Sequence, residues 1–130
     1  MNQAKKLPIR HGLILSASRI SDQITAAQKT EAAGFHSVWA TEFFHQHGLV
    51  RMASVAAATQ RVQVGSVALL RTPMLAASGA MNIDEISNGR YILYHSILDV
   101  SGWREIGETI AMKAERTMEN LLAITECLKA

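Results

Sequence analysis

A glutamate and two histidines stand close together in the run Thr41-Glu42-Phe43-Phe44-His45-Gln46-His47. A carboxylate at the C-terminal end of a buried strand, with imidazoles just beyond it, suits proton transfer near neutral pH. The alternatives are a loop acid or helix cap for Glu42 and ordinary loop positions for His45 and His47. As a metal motif, His-x-His alone is weak, because no third ligand accompanies it. A second group, Gly65-Ser66-Val67-Ala68, closes another apolar run. A glycine there either lets a ligand approach the backbone or marks a bulge. Arg104 lies in a polar loop with Gly102, Trp103 and Gly107; it is placed to meet a phosphate or to stand as a plain surface charge.

The elements that must position these groups alternate along the chain. His11–Ser16 is a short apolar run and a first buried strand. Ser21-Asp22 is suited to cap a helix carrying Ile24, Ala27, Gln28 and Glu31 at helical spacing. Gly34 then supplies the left-handed position after the last turn. His36–Ala40 reads as a second strand, Gly48–Thr59 as a helix of small residues, and Arg61–Leu70 as a third strand. Pro73 fits the first turn of a helix running to about Ser87. After the Asn88-Gly89 turn, Arg90–Ile97 is a fourth strand, and Thr109–Leu128 a last helix with Met118, Leu121, Leu122, Thr125 and Leu128 on one face.

Apolar strands alternating with helices predict an α/β fold of four βα units with a parallel, helix-covered sheet. The repeat of about 25 to 30 residues is the βα unit itself, without a solenoid signature. A complete eight-stranded βα barrel takes about 250 residues, so four units are half of a TIM-type barrel. The alternative is an open flavodoxin-like sheet, ranked second because no Gly-rich phosphate loop follows the first strand. The expectation is a single domain over residues 1–130, truncated or split, that pairs with another half to cover its open edges or else stays marginal in stability.

Composition narrows the function classes. The chain has 130 residues, 48% hydrophobic, with a formal net charge of +2. Its Lys and Arg residues are dispersed, which does not favour nucleic acid or an anionic membrane. No run approaches the roughly 18 apolar residues of a membrane span, and no secretory signal pattern is present. Cys127 is the single cysteine, so no internal disulfide forms, and it reads as a packed or edge thiol. A cytoplasmic setting is the default expectation.

In combination, Gly34–Glu42 (GFHSVWATE) and Asp84–Arg90 (DEISNGR) resemble the bacterial luciferase-like family of flavin-dependent monooxygenases. The resemblance covers about His11 to Leu128. It implies oxygenation of a small organic substrate with reduced FMN and dioxygen, or use of a related deazaflavin. Glu42 and His45 become the acid–base residues. Thr41, Gly65, Ser66, Val67, Ala68 and Arg104 become the cofactor-binding ones, with a bulge and a cis peptide near Ser66 to Ala68. Arg90 is expected to pair with a carboxylate at the bottom of the barrel, while Asp84 and Ser87 bond loop backbone. Met52, Ala56, Ala76 and Ala80 are either core or a homodimer face. Three positions depart from the family pattern: Phe43 stands where a histidine is usual, and Tyr94 and Ser96 where glycines make room for the flavin. A non-catalytic remnant or partner subunit is therefore the alternative function.

Overall fold

A computed structural model describes residues 8–42, 46–67, 72–94 and 110–129. Its elements are β1 (Gly12–Ile14), α1 (Ile20–Ala32), β2 (Ser37–Thr41), α2 (Gly48–Ala58), β3 (Gln63–Val67), α3 (Pro73–Ser87), β4 (Tyr91–Tyr94) and α4 (Ile110–Lys129). The strands form one parallel sheet in the order β1-β2-β3-β4. That sequential order is the one a closed βα barrel uses. It excludes the flavodoxin-like alternative, whose order places the second strand outside the first.

Right-handed crossovers between neighbouring strands put successive helices on the same side of the sheet. Leu15, Val38, Ala40 and Val64 point to that side and share the core with Met52, Val55, Ala56, Ala76, Ala77 and Ile83. The side chains of Ile14, Trp39, Thr41, Val67 and Tyr94 alternate onto the opposite, open face. Ile14 remains 59% exposed and Tyr94 51%. Met52, Ala56, Ala76 and Ala80 are all buried inside the chain, so the small-residue stripe forms core and does not present a free helix face. Cys127 packs against that core from α4.

Turn chemistry sets the helix ends. Gly34 has φ +82, and Asn88 and Gly89 have φ 55 and 78, the left-handed conformations that let the last carbonyls of α1 and α3 be satisfied. At the head of α1 the cap is Arg19, without a side-chain cap bond, and Asp22 lies within the first turn. The expected Ser21-Asp22 cap is thus shifted by two residues; Asp22 favours the helix through its dipole.

Two polar staples close the N-terminal side of the sheet. The Glu31 carboxylate accepts the backbone N–H groups of Gln60, Arg61 and Val62 at 3.0, 2.6 and 2.8 Å. The Arg90 guanidinium donates to the carbonyls of Ala56, Thr59, Val62 and Ser87 at 3.0, 2.9, 2.7 and 2.7 Å, and to Thr59 Oγ1. Arg90 therefore caps the C-terminal end of α2, where free carbonyls attract a cation. This corrects the expectation of a carboxylate partner. Asp84 and Ser87 accept the N–H groups of Tyr91 and Arg90, the backbone role expected of them.

Candidate active site

The C-terminal ends of β2, β3 and β4 lie side by side. Thr41 is paired with Val67, and Val67 with Tyr94. The Glu42 N–H continues the ladder to the Val67 carbonyl at 3.4 Å. Alternation then sorts the side chains into two groups. Thr41 and Val67 are half-buried on the open face. Ser66, fully buried, and Glu42, 5% exposed, fall on the helix side. His45, Ala68 and Arg104 lie outside the described residues, as do Phe43 and Ser96. His47 is exposed at the head of α2, and no group of three metal-ligating side chains occurs among the described residues.

Gly65 has a local explanation. An added Cβ would collide with Cε3 and Cζ3 of Trp39 and sit 3.0 Å from Cδ2. The Trp39 indole thus lies directly across the β3 backbone, held by a bond from Nε1 to Ser37 Oγ at 2.9 Å. The ring that approaches Gly65 is the protein's own. The ladder through Gln63–Val67 is regular on both sides, and no cis peptide occurs among the described residues. Neither the bulge nor the cis peptide expected near Ser66 to Ala68 occurs up to Val67, and Ala68 lies outside the described residues.

Beneath Glu42 the structure assembles a polar cluster. The Tyr91 hydroxyl donates to Ser66 Oγ at 2.8 Å. Burial pushes the Tyr91 phenol up to about 12; the Ser66 bond opposes that shift and the nearby Glu42 carboxylate adds to it. The phenol is kept neutral near a carboxylate, and its one proton is directed to Ser66 Oγ. Sequence reasoning missed Tyr91, although its alternation with Leu93, which packs against the core, places it on the helix side. It also missed Gln23 and Arg51. Gln23 is fully buried and donates to the Ala17 carbonyl at 2.9 Å. Arg51 donates to the Ala17 and Ser18 carbonyls at 3.0 and 2.7 Å. Together they fix the loop after β1, at the same end of the sheet as Glu42. The detectable signal is a polar side chain at core spacing within an apolar helix, as in Leu49-Val50-Arg51-Met52.

A parallel sheet of this sequential order meets its counterpart in comparison with known proteins. The family model for luciferase-like monooxygenase matches residues 1–125. The chain belongs to the luciferase-like monooxygenase family. No curated protein sequence matches it. Among solved structures, it is similar to the oxygenating constituent of 3,6-diketocamphane monooxygenase from Pseudomonas putida, a type II Baeyer–Villiger monooxygenase in complex with FMN. That likeness has 19% identity and a TM-score of 0.73, over 91% of this chain and 38% of the other. It is also similar to the coenzyme F420-dependent tetrahydromethanopterin reductase of Methanopyrus kandleri, with 19% identity and a TM-score of 0.69, over 80% and 31%. A monooxygenase of Streptomyces bottropensis gives 21% and 0.68, over 89% and 42%. These likenesses show the fold, and the chain spans less than half the length of each of the three. No described helix is long and apolar enough to cross a membrane.

Proposed function

We propose that this chain contributes to a flavin-dependent oxidoreductase of the luciferase-like monooxygenase type, acting on a small organic substrate. The observation that carries the reading is the strand-end platform: Thr41 and Val67 side by side on the open face, with the buried Glu42 next along the ladder. Family membership and the fold shared with FMN-bound and F420-dependent proteins support it.

On its open face this platform offers the flat ring of a flavin two half-buried, uncharged side chains on adjacent strands, Thr41 and Val67, bounded on one side by the Trp39 indole that already covers Gly65. It does not by itself fit the flavin phosphate. Arg51, at this end of the sheet, is bonded to carbonyls, and Arg104, the phosphate partner implied by resemblance, lies outside the described residues. When bound in its reduced form, the flavin supplies two electrons to dioxygen, so that one oxygen atom enters the substrate and the other leaves as water. The chain's own part is to support the ring with Thr41, Val67 and the strand end beyond the Trp39 indole, Ser66 to Ala68. Glu42, next along the ladder and near enough to Tyr91 for its charge to be felt there, and His45 are the acid–base residues of this reading. A second copy or a complementing barrel half would cover the open face. Met74, Leu75 and Met81, all exposed on α3 on the other side of the sheet, offer a separate apolar face to a second copy.

Titration of the chain with oxidised FMN, and separately with F420, followed by cofactor fluorescence, tests this reading. Saturable quenching supports it and distinguishes the two cofactors. A folded chain that quenches neither refutes flavin binding by these residues alone.

One observation favours a second reading, a non-catalytic partner subunit. Tyr94 stands half-exposed on the open face beside Val67, where a ring would lie. If Tyr94→Gly creates quenching that the unaltered chain lacks, the tyrosine is a block and the second reading holds.

A further inference from the structure

The opposite end of the sheet holds a cleft that the flavin reading does not use. It has a volume of about 360 Å³ and is lined by Arg10, His11, His36 and Arg61, with Glu31 and Phe35 among its other walls. The strand order brings these residues together: Arg10 and His11 precede β1, His36 precedes β2, and Arg61 precedes β3. Backbone bonds lock the alignment, from His36 N–H to the His11 carbonyl at 2.8 Å and from Gln63 N–H to the His36 carbonyl at 3.0 Å.

We propose that this cleft binds a small organic phosphate, with the phosphate on Arg10 and Arg61 and the organic group on Phe35 and Ile9. Two guanidiniums and two imidazoles, from three adjacent strand entrances, face one space. The guanidiniums favour phosphate through charge-assisted bonds, and imidazole N–H groups add neutral ones. Arg10 is already oriented, because its Nη1 lies 3.4 Å from Nε2 of His36. The single carboxylate in the wall, Glu31, has its oxygens turned onto the backbone N–H groups of residues 60–62. It lowers the net charge near Arg61 without occupying the Arg10 fork.

The size and the apolar wall choose the ligand class. A bare phosphate would leave most of the cleft to water, whereas small-molecule sites begin near about 300 Å³. Phe35 is 37% exposed and Ile9 78%, and both line the cleft. Phe35 is steadied by a tilted contact with His11, at 6.1 Å between ring centroids and 58° between planes. An aromatic or otherwise flat group can lie on that pair.

The test is calorimetric titration of the 130-residue chain with phenyl phosphate in a buffer free of other polyvalent anions. Saturable binding is expected, weakened about tenfold or more in the Arg10→Gln, Arg61→Gln double variant. Arg19→Gln, at the other end of the sheet, should leave it unchanged. Arg10→Gln alone keeps the test readable if the double variant does not fold, because Arg10 is exposed and precedes β1. No saturable binding by the folded chain overturns the proposal, and so does binding that survives loss of Arg10. Methyl phosphate binding as tightly as phenyl phosphate would overturn the assignment of Phe35 and Ile9.

Discussion

Replacing Gly65 by alanine isolates the contact that shapes the open face. The glycine is not needed for an unusual backbone, because it lies in a regular strand paired on both sides. It is needed because a Cβ would enter the Trp39 ring. The indole must therefore turn away, breaking the 2.9 Å bond to Ser37. Losing that bond costs about 1 kcal/mol, and overpacking adds about 1–3 kcal/mol. Against this, removing a glycine restricts the unfolded chain and returns about 0.4–1 kcal/mol. A net loss of about 1–3 kcal/mol is expected in urea unfolding followed by tryptophan fluorescence. The decisive comparison is the same change in a Trp39→Ala background. There the clash is gone, and the two substitutions should couple by about 1 kcal/mol or more. A Gly65→Ala chain as stable as the original, or an equal loss without Trp39, would refute the reasoning.

Arg90→Met removes the guanidinium that satisfies carbonyls of Ala56, Thr59, Val62 and Ser87. It should cost about 3 kcal/mol, measured by the same unfolding experiment; a loss below about 1 kcal/mol would show that water replaces those bonds. Glu31 predicts an acid dependence. Burial raises its pKa, but the N–H groups of Val62, Arg61 and Gln60 and the Arg61 charge outweigh burial, leaving it below the ordinary 4.5. Its stabilisation is therefore complete above that value and is lost as pH falls through the lower, folded value. Glu31→Gln should lower stability at neutral pH and flatten this part of the pH profile. An unchanged slope below pH 4.5 would reject the staple.

The four βα units, the parallel sheet and the boundaries of α3 were legible in the sequence. Buried strands and helices with different hydrophobic periods announce themselves locally, and Pro73 and Asn88-Gly89 mark the helix ends through backbone preferences alone. The luciferase-like resemblance was legible for the same reason, since its motifs at Gly34–Glu42 and Asp84–Arg90 are local turns and strand ends. Which residue meets which across the sheet depends on strand order and register, and these are properties of the folded chain. Arg90 was given a carboxylate partner, yet the register delivers it to the carbonyls ending α2. Gly65 invited a ligand, and the Trp39 ring from the next strand covers it. Ser66 and Glu42 were placed with Thr41 and Val67, but side-chain alternation turns the first two toward the helices and the last two toward the open face. Tyr91, 25 residues from Ser66 along the chain, joins that polar pair because β4 lies beside β3. Local preference selected the elements, and strand pairing decided which of their side chains share a site.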